Sequence, residues 1–201
     1  MTMQIYHYLF IGIAALISLT LHEVSHGYIA FLMGDNTAMS KGRLSLNPIR
    51  HIDIFGLLAL LVIGIGWAKP VPINPMNFTE RKKGTLLVSL AGPGMNLFLA
   101  LFFGMLFNLF YYTYGLQYIS LLFYYCMTIN VALAVFNLLP LPPLDGSKIL
   151  ASVLPEKAEF QFYKYERYFY IIVLILYLTG AVSYVLIPAI NFLSNLILAV
   201  V

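Results

Sequence analysis

Residues 18–32 read SLTLHEVSHGYIAFL. They lie inside an apolar run, residues 6–33, that exceeds the ~20 residues a helix needs to cross a bilayer. Two histidines and a glutamate stand where an ionisable side chain costs several kcal/mol unless it is paired or binds metal. His22 and His26 are four residues apart and share one helix face. The HExxH spacing lets two imidazoles hold one zinc ion, with Glu23 between them as general base for the attacking water. A packing role would be better served by leucine. Two axial haem ligands would have to approach from opposite faces of the ring, which this pair does not do. Zinc that hydrolyses needs three protein ligands and one open position, so a third ligand must come from elsewhere in the chain.

The composition agrees with a membrane setting. Of 201 residues, 61% are hydrophobic and only 9% charged, where a soluble domain carries about a quarter charged residues. The mean hydropathy is +0.88. The net charge of +3 is small and gives no sign of a nucleic-acid partner. A single cysteine, Cys126, excludes a disulfide within the chain and a thiolate zinc cluster. The first apolar run follows no basic segment and reads as a retained helix rather than a leader. Residues 1–201 read as one integral-membrane domain.

Four apolar runs reach spanning length: residues 6–33, 84–112, 116–139 and 168–201. The last is interrupted at Pro188, where a kink or a helix end is expected. A shorter run, residues 54–67, suits a re-entrant segment. All eleven lysines and arginines fall in three segments: after the first run, after the short one, and between the third and fourth long runs. The positive-inside rule places all three on the cytoplasmic side. Four crossings with both termini outside satisfy every charge. Alternation over residues 43–47 is a weak strand signal closed by Pro48, suggesting a short β-like hairpin on the cytoplasmic side. The expected fold is therefore an all-α polytopic membrane protein, with about four transmembrane helices, a re-entrant segment and that hairpin. His51 and residues 156–167 read as solvated, or for the latter as a helix lying at the surface.

For the third ligand, Asp145 is the only acidic residue between Glu80 and Glu156. It lies at the cytoplasmic end of the third long run, after Pro140, Pro142 and Pro143, which bar a regular helix. The same residues also fit a plain helix stop with Asp145 in a solvated turn. On the second long run Gly92, Asn96, Ala100, Gly104 and Asn108 recur every four residues, a small-residue face that lets helices approach closely.

Taken together, HEVSH, SLAGPGMN and NLLPLPPLDG, in that order, resemble the site-2 protease family of intramembrane zinc metallopeptidases. GRLSLNPIRHID and GWAKPVPINP resemble its short prokaryotic branch, which lacks PDZ and CBS domains. The resemblance implies that His22, His26 and Asp145 hold one zinc ion and that Glu23 is the catalytic acid/base. It implies that Asn137, Pro140 and Pro142 hold the substrate backbone near the metal. Asn96 matches the family's GPxxN position and is grouped with them. The implied activity is hydrolysis of peptide bonds within or near transmembrane segments. Single-span membrane proteins or remnant signal peptides would be the substrates, in a prokaryotic cell membrane. His22 lies ~11 residues from the end of its run, or ~15 Å into the membrane at ~1.5 Å per residue, so water should enter from the cytoplasmic side. An edge strand at residues 43–47 could pair with an extended substrate. Two rivals stand beside this reading: a non-catalytic zinc-binding assembly factor, and a metal transporter.

Overall fold

Lipid offers no partner for a backbone N–H or C=O, so an apolar spanning segment must satisfy these groups within itself as a helix. The computed structural model describes residues 2–56 and 67–201. Its longer helices are α1 (Thr2–Leu32), α2 (Arg81–Asn108), α3 (Gln117–Asn137), α4 (Asp145–Val153), α5 (Glu156–Leu178) and α6 (Ala181–Val200). Among the described residues, four stretches are long and apolar enough to cross a membrane: Tyr6–Leu32, Arg81–Thr113, Gln117–Asn137 and Ser183–Val200. The protein is an all-α polytopic membrane protein. Among the described residues the only β pairing is an isolated antiparallel bridge between Ile52 and Ala68.

Helices α1, α2, α3 and α6 share a core of Ala14, Leu99, Ala100, Phe103, Cys126, Met127, Val131 and Ile197. Cys126 is packing material there. The small-residue face of α2 has the expected use. A Cβ on Gly104 would come within 2.8 Å of Ile197 Cγ2, so α6 reaches the bundle only because the side chain is absent.

The charged end is stitched together by buried polar groups. Asp35, just past α1, is fully buried. It accepts from Thr37 N (3.1 Å), Asn74 N (2.7 Å) and Asn77 Nδ2 (2.8 Å), tying the end of α1 to the loop that leads into α2. Arg81 grips Glu159 with two hydrogen bonds of 2.7 and 3.0 Å. Lys82 Nζ donates to the Leu154 carbonyl at 2.6 Å.

Several expectations change. The last apolar run is two helices, but the break is at Gly180 and not at Pro188. Gly180 takes φ 72°, the left-handed conformation that glycine adopts readily at a helix end. Pro188 sits inside α6, where neighbouring groups in a membrane bundle can tolerate a missing N–H. Residues 156–167 are helical and anchored, with Glu159 only 6% exposed. His51 is buried, at 2% exposure, and its Nε2 donates to the Ser45 carbonyl at 2.8 Å. That bond takes the carbonyl a strand at residues 43–47 would offer, and no strand forms there. The expected hairpin reduces to the Ile52–Ala68 bridge and one bond, Lys69 N to His51 O at 2.8 Å. The segment expected to re-enter, residues 54–67, falls mostly outside the described residues.

Candidate active site

The two histidines project from α1 and the aspartate begins α4. Three prolines after α3 prevent it from continuing. Tight bonds, Leu141 N to Leu139 O (2.8 Å) and Leu144 N to Leu141 O (2.9 Å), fold the chain back. Gly146 closes this turn. Its Cα lies so near the Leu138 and Leu139 carbonyls that a Cβ would sit 2.3 and 2.4 Å from them. Asp145 is thereby placed against α1. Its Oδ2 is 3.3 Å from His22 Nε2 and 3.0 Å from His26 Nε2, and those two nitrogens are 3.0 Å apart. All three residues are buried. The alternative of Asp145 in a solvated turn does not hold.

The donor set fits a zinc ion. His26 Nδ1 donates to the Val88 carbonyl at 2.7 Å, so its Nε2 carries the free lone pair. His22 Nδ1 donates to Asn96 Oδ1 at 2.6 Å, with the same result. Asp145 Oδ2 is buried with no hydrogen-bond partner among the described residues. Two bare nitrogens and a carboxylate oxygen therefore converge in a largely buried site, which favours a cation among them. A tetrahedral ion with bonds of about 2.0–2.1 Å sets its ligand atoms about 3.3 Å apart, close to the observed 3.0–3.3 Å. The Gly92 backbone forms the wall behind the imidazoles. A Cβ there would lie 2.4 Å from His26 Nε2 and 2.5 Å from His22 Cε1.

The orientation of Asn96 is itself set from a distance. Ser18 Oγ donates to the Ala14 carbonyl at 2.7 Å, and Asn130 Nδ2 donates to Ser18 Oγ (2.7 Å) and to the Cys126 carbonyl (2.8 Å). A carbonyl can only accept, so the Asn130 nitrogen must face that way and its oxygen must face Asn96. Asn96 Nδ2 donates to that oxygen at 2.8 Å, which leaves Asn96 Oδ1 for His22. Asn96 and Asn130 are both 0% exposed. Asn96 thus touches a candidate ligand from within the core.

Glu23 stands on α1 between the histidines, half-buried, and its Oε2 accepts from Val71 N at 2.7 Å. Among the other predicted residues, Asn137 returns its amide to its own helix at the Leu133 carbonyl (3.0 Å), Pro140 is exposed and Pro142 is buried. The sequence reading missed the Val71 amide, the Val88 carbonyl, and the Ser18–Asn130 support. Backbone groups leave no mark in a sequence. Asn130 did: it is an amide in the middle of a spanning run, where an unpartnered polar group is costly.

Comparison with known proteins adds to this geometry. Residues 111–180 match the family described as peptidase family M50. That span contains Asp145 but neither histidine. The chain is 40% identical over 189 residues to the Bacillus subtilis protein named "Putative zinc metalloprotease YwhC", covering 90% of this chain and 86% of that one. It is 31% identical over 180 residues to the Mycolicibacterium smegmatis protein named "Putative zinc metalloprotease Rip2", covering 84% of this chain and 66% of that one. No solved structure gives a significant match.

Proposed function

Because the chain belongs to peptidase family M50, the site-2 protease family of zinc metalloproteases, we propose that it cleaves peptide bonds within or near transmembrane segments, with Glu23 as general base. The observation that carries the reading is the buried His22–His26–Asp145 cluster on and between membrane-spanning helices, with Glu23 fixed beside it by a backbone amide. His22, His26 and Asp145 would hold the zinc ion. When bound, zinc supplies Lewis acidity, which polarises the scissile carbonyl and makes water a competent nucleophile near neutral pH.

The chain's own residues do the rest. Val71 N takes one oxygen of Glu23, which leaves the other oxygen free to accept a proton from the attacking water. After attack, Glu23 returns that proton to the leaving amine. The Val88 carbonyl and Asn96 keep the lone pairs of both imidazoles directed inward throughout. Asn137 ends α3, and Pro140 and Pro142 follow it in the stretch that leads to Asp145; this reading assigns them to holding the substrate backbone. Asn96, sealed in the core, acts through His22 rather than on substrate. The basic residues fall between the first and second spanning stretches, in the first turn of the second, and between the third and fourth, and the positive-inside rule assigns those segments to the cytoplasm. Water and the extended substrate enter from there, in a prokaryotic cell membrane. Single-span proteins or remnant signal peptides are the substrate class.

The test is Glu23→Gln in the full chain reconstituted with a single-span reporter. Zinc content should stay at the wild-type level while cleavage drops by several orders of magnitude. Cleavage that survives the substitution would remove Glu23 from the chemistry. Zinc lost along with Glu23 would point to a structural metal site instead.

A further inference from the structure

The loop beyond α1 holds a second polar feature, away from the catalytic cluster. A recess of about 430 Å³ is lined by Lys41, Arg43, Arg50 and Lys69, with Ile49 and Ile52 as its apolar part. Four cations thus face one small space. None forms an ion pair with a carboxylate among the described residues. The acidic residue nearest in sequence, Asp53, accepts instead from Gly56 N at 2.9 Å. The guanidinium groups are held by backbone carbonyls: Arg43 Nη2 by Lys69 O at 2.7 Å, and Arg50 Nη1 by Gly42 O at 2.5 Å. Arg43 Nε is buried with no hydrogen-bond partner among the described residues. Such fixed, uncompensated donors are built to receive an anion.

The surroundings identify the anion. Leu46, Ile49, Ile54, Phe55 and Trp67 around this loop are all exposed. A soluble anion has no use for that apolar rim, whereas acyl chains would cover it. We propose that the recess binds the phosphate headgroup of an anionic phospholipid, with the acyl chains against the exposed apolar residues. Clusters of four or more basic residues beside a spanning helix bind anionic lipid electrostatically. The location has a consequence. Lys69 is fixed by His51 and Arg43, and two residues later Val71 N holds Glu23. A headgroup in the recess therefore braces the segment that positions the proposed base.

The chain's single tryptophan, Trp67, lies two residues from Lys69 and is 52% exposed, so it reports on the site directly. The full chain would be reconstituted in phosphatidylcholine vesicles containing brominated phosphatidylglycerol or brominated phosphatidylcholine, and Trp67 quenching measured. Wild type should prefer the anionic lipid by about fivefold or more, the factor expected for even one cation at the surface. The preference should weaken with salt and approach unity in Lys41→Gln/Lys69→Gln, which keeps both carbonyl bonds of the loop. Wild-type zinc content certifies that the variant is folded. Should the pair fail to fold, Lys41→Glu alone carries the same expectation. Equal quenching by the two lipids in wild type would overturn the proposal, as would a preference unchanged in these variants. Inorganic phosphate, titrated in uncharged detergent, should show no saturable binding below about 10 mM, since the acyl chains supply part of the affinity. Tight phosphate binding lost in the same variants would reassign the recess to a soluble phosphate. Saturable binding of an acidic peptide without any lipid preference would reassign it to a protein.

Discussion

One methyl group tests the architecture of the metal site. A Cβ at Gly92 would lie 2.4 Å from His26 Nε2, 2.5 Å from His22 Cε1 and 2.6 Å from His26 Cε1. Ordinary contacts between such atoms are about 3.5–4.0 Å. Gly92→Ala therefore requires both rings to retreat by roughly 1 Å. Neither ring is free to do so, because His26 is bonded to Val88 O and His22 to Asn96 Oδ1. Metal ligation tolerates displacements of only about 0.2 Å. We expect zinc affinity to fall by about a hundredfold or more, or about 2.7 kcal/mol. Overpacking should add about 1–3 kcal/mol of destabilisation. Bound zinc per chain would be measured by mass spectrometry after equilibration with a zinc buffer, alongside the thermal midpoint in detergent. Gly94→Ala is the control on the same helix, since a Cβ there meets nothing within 4 Å. It should leave zinc unchanged and the midpoint equal or slightly higher, alanine being the better helix former. Wild-type zinc affinity in Gly92→Ala would refute the claim that the α2 backbone is the wall of the site.

The relay behind His22 predicts a coupling. Asn130→Leu should lower zinc affinity about 10–100-fold, and in the Asn96→Leu background it should add almost nothing, because Asn130 reaches the ligand only through Asn96. Additive losses in a chelator-competition assay would break that chain of argument. Asp35 predicts an acid limit. Burial alone would raise its carboxyl, but bonds from Asn74 N, Thr37 and Asn77 outweigh this and hold it below its ordinary value of 3.8. Its contribution is then complete above the unfolded carboxyl's range and is lost as pH falls through the lower folded value. Unfolding in acid should show that loss below about pH 4, and Asp35→Ala should flatten it while costing about 2–4 kcal/mol at neutral pH. Glu159→Ala should release α5, seen as faster proteolysis within residues 156–178, while zinc content stays unchanged, because the partners lost are Arg81 and Lys82 and none of the candidate ligands.

The sequence by itself determined the class of the protein and drew attention to the histidine pair of its candidate metal site. Lipid compels a long apolar run to become a helix, so the spanning segments could be read from length and hydropathy with little ambiguity. The same medium made His22, Glu23 and His26 conspicuous, because such groups are retained in a membrane only at a cost. Helical spacing was enough to put both imidazoles on one face. Local signals misled where two rules competed. Pro188 looked like the break in the last run, yet Gly180, with its positive φ, made the turn. Alternation at residues 43–47 suggested a strand, but the buried His51 took the Ser45 carbonyl and no ladder formed.

What only the tertiary structure decided was everything that depends on the approach of one helix to another. Asp145 is 119 residues from His26 in the chain, and its place beside the imidazoles rests on the close packing of Gly146 against two carbonyls. The tautomers of the histidines are set by a backbone carbonyl on α2 and by an amide oriented from α3. Glu23 is held by a backbone N–H in a loop whose side chains give no hint of it. Periodicity and hydropathy report how a residue relates to its own helix. The partners of a backbone group, and the direction of a buried hydrogen bond, exist only once the helices have packed.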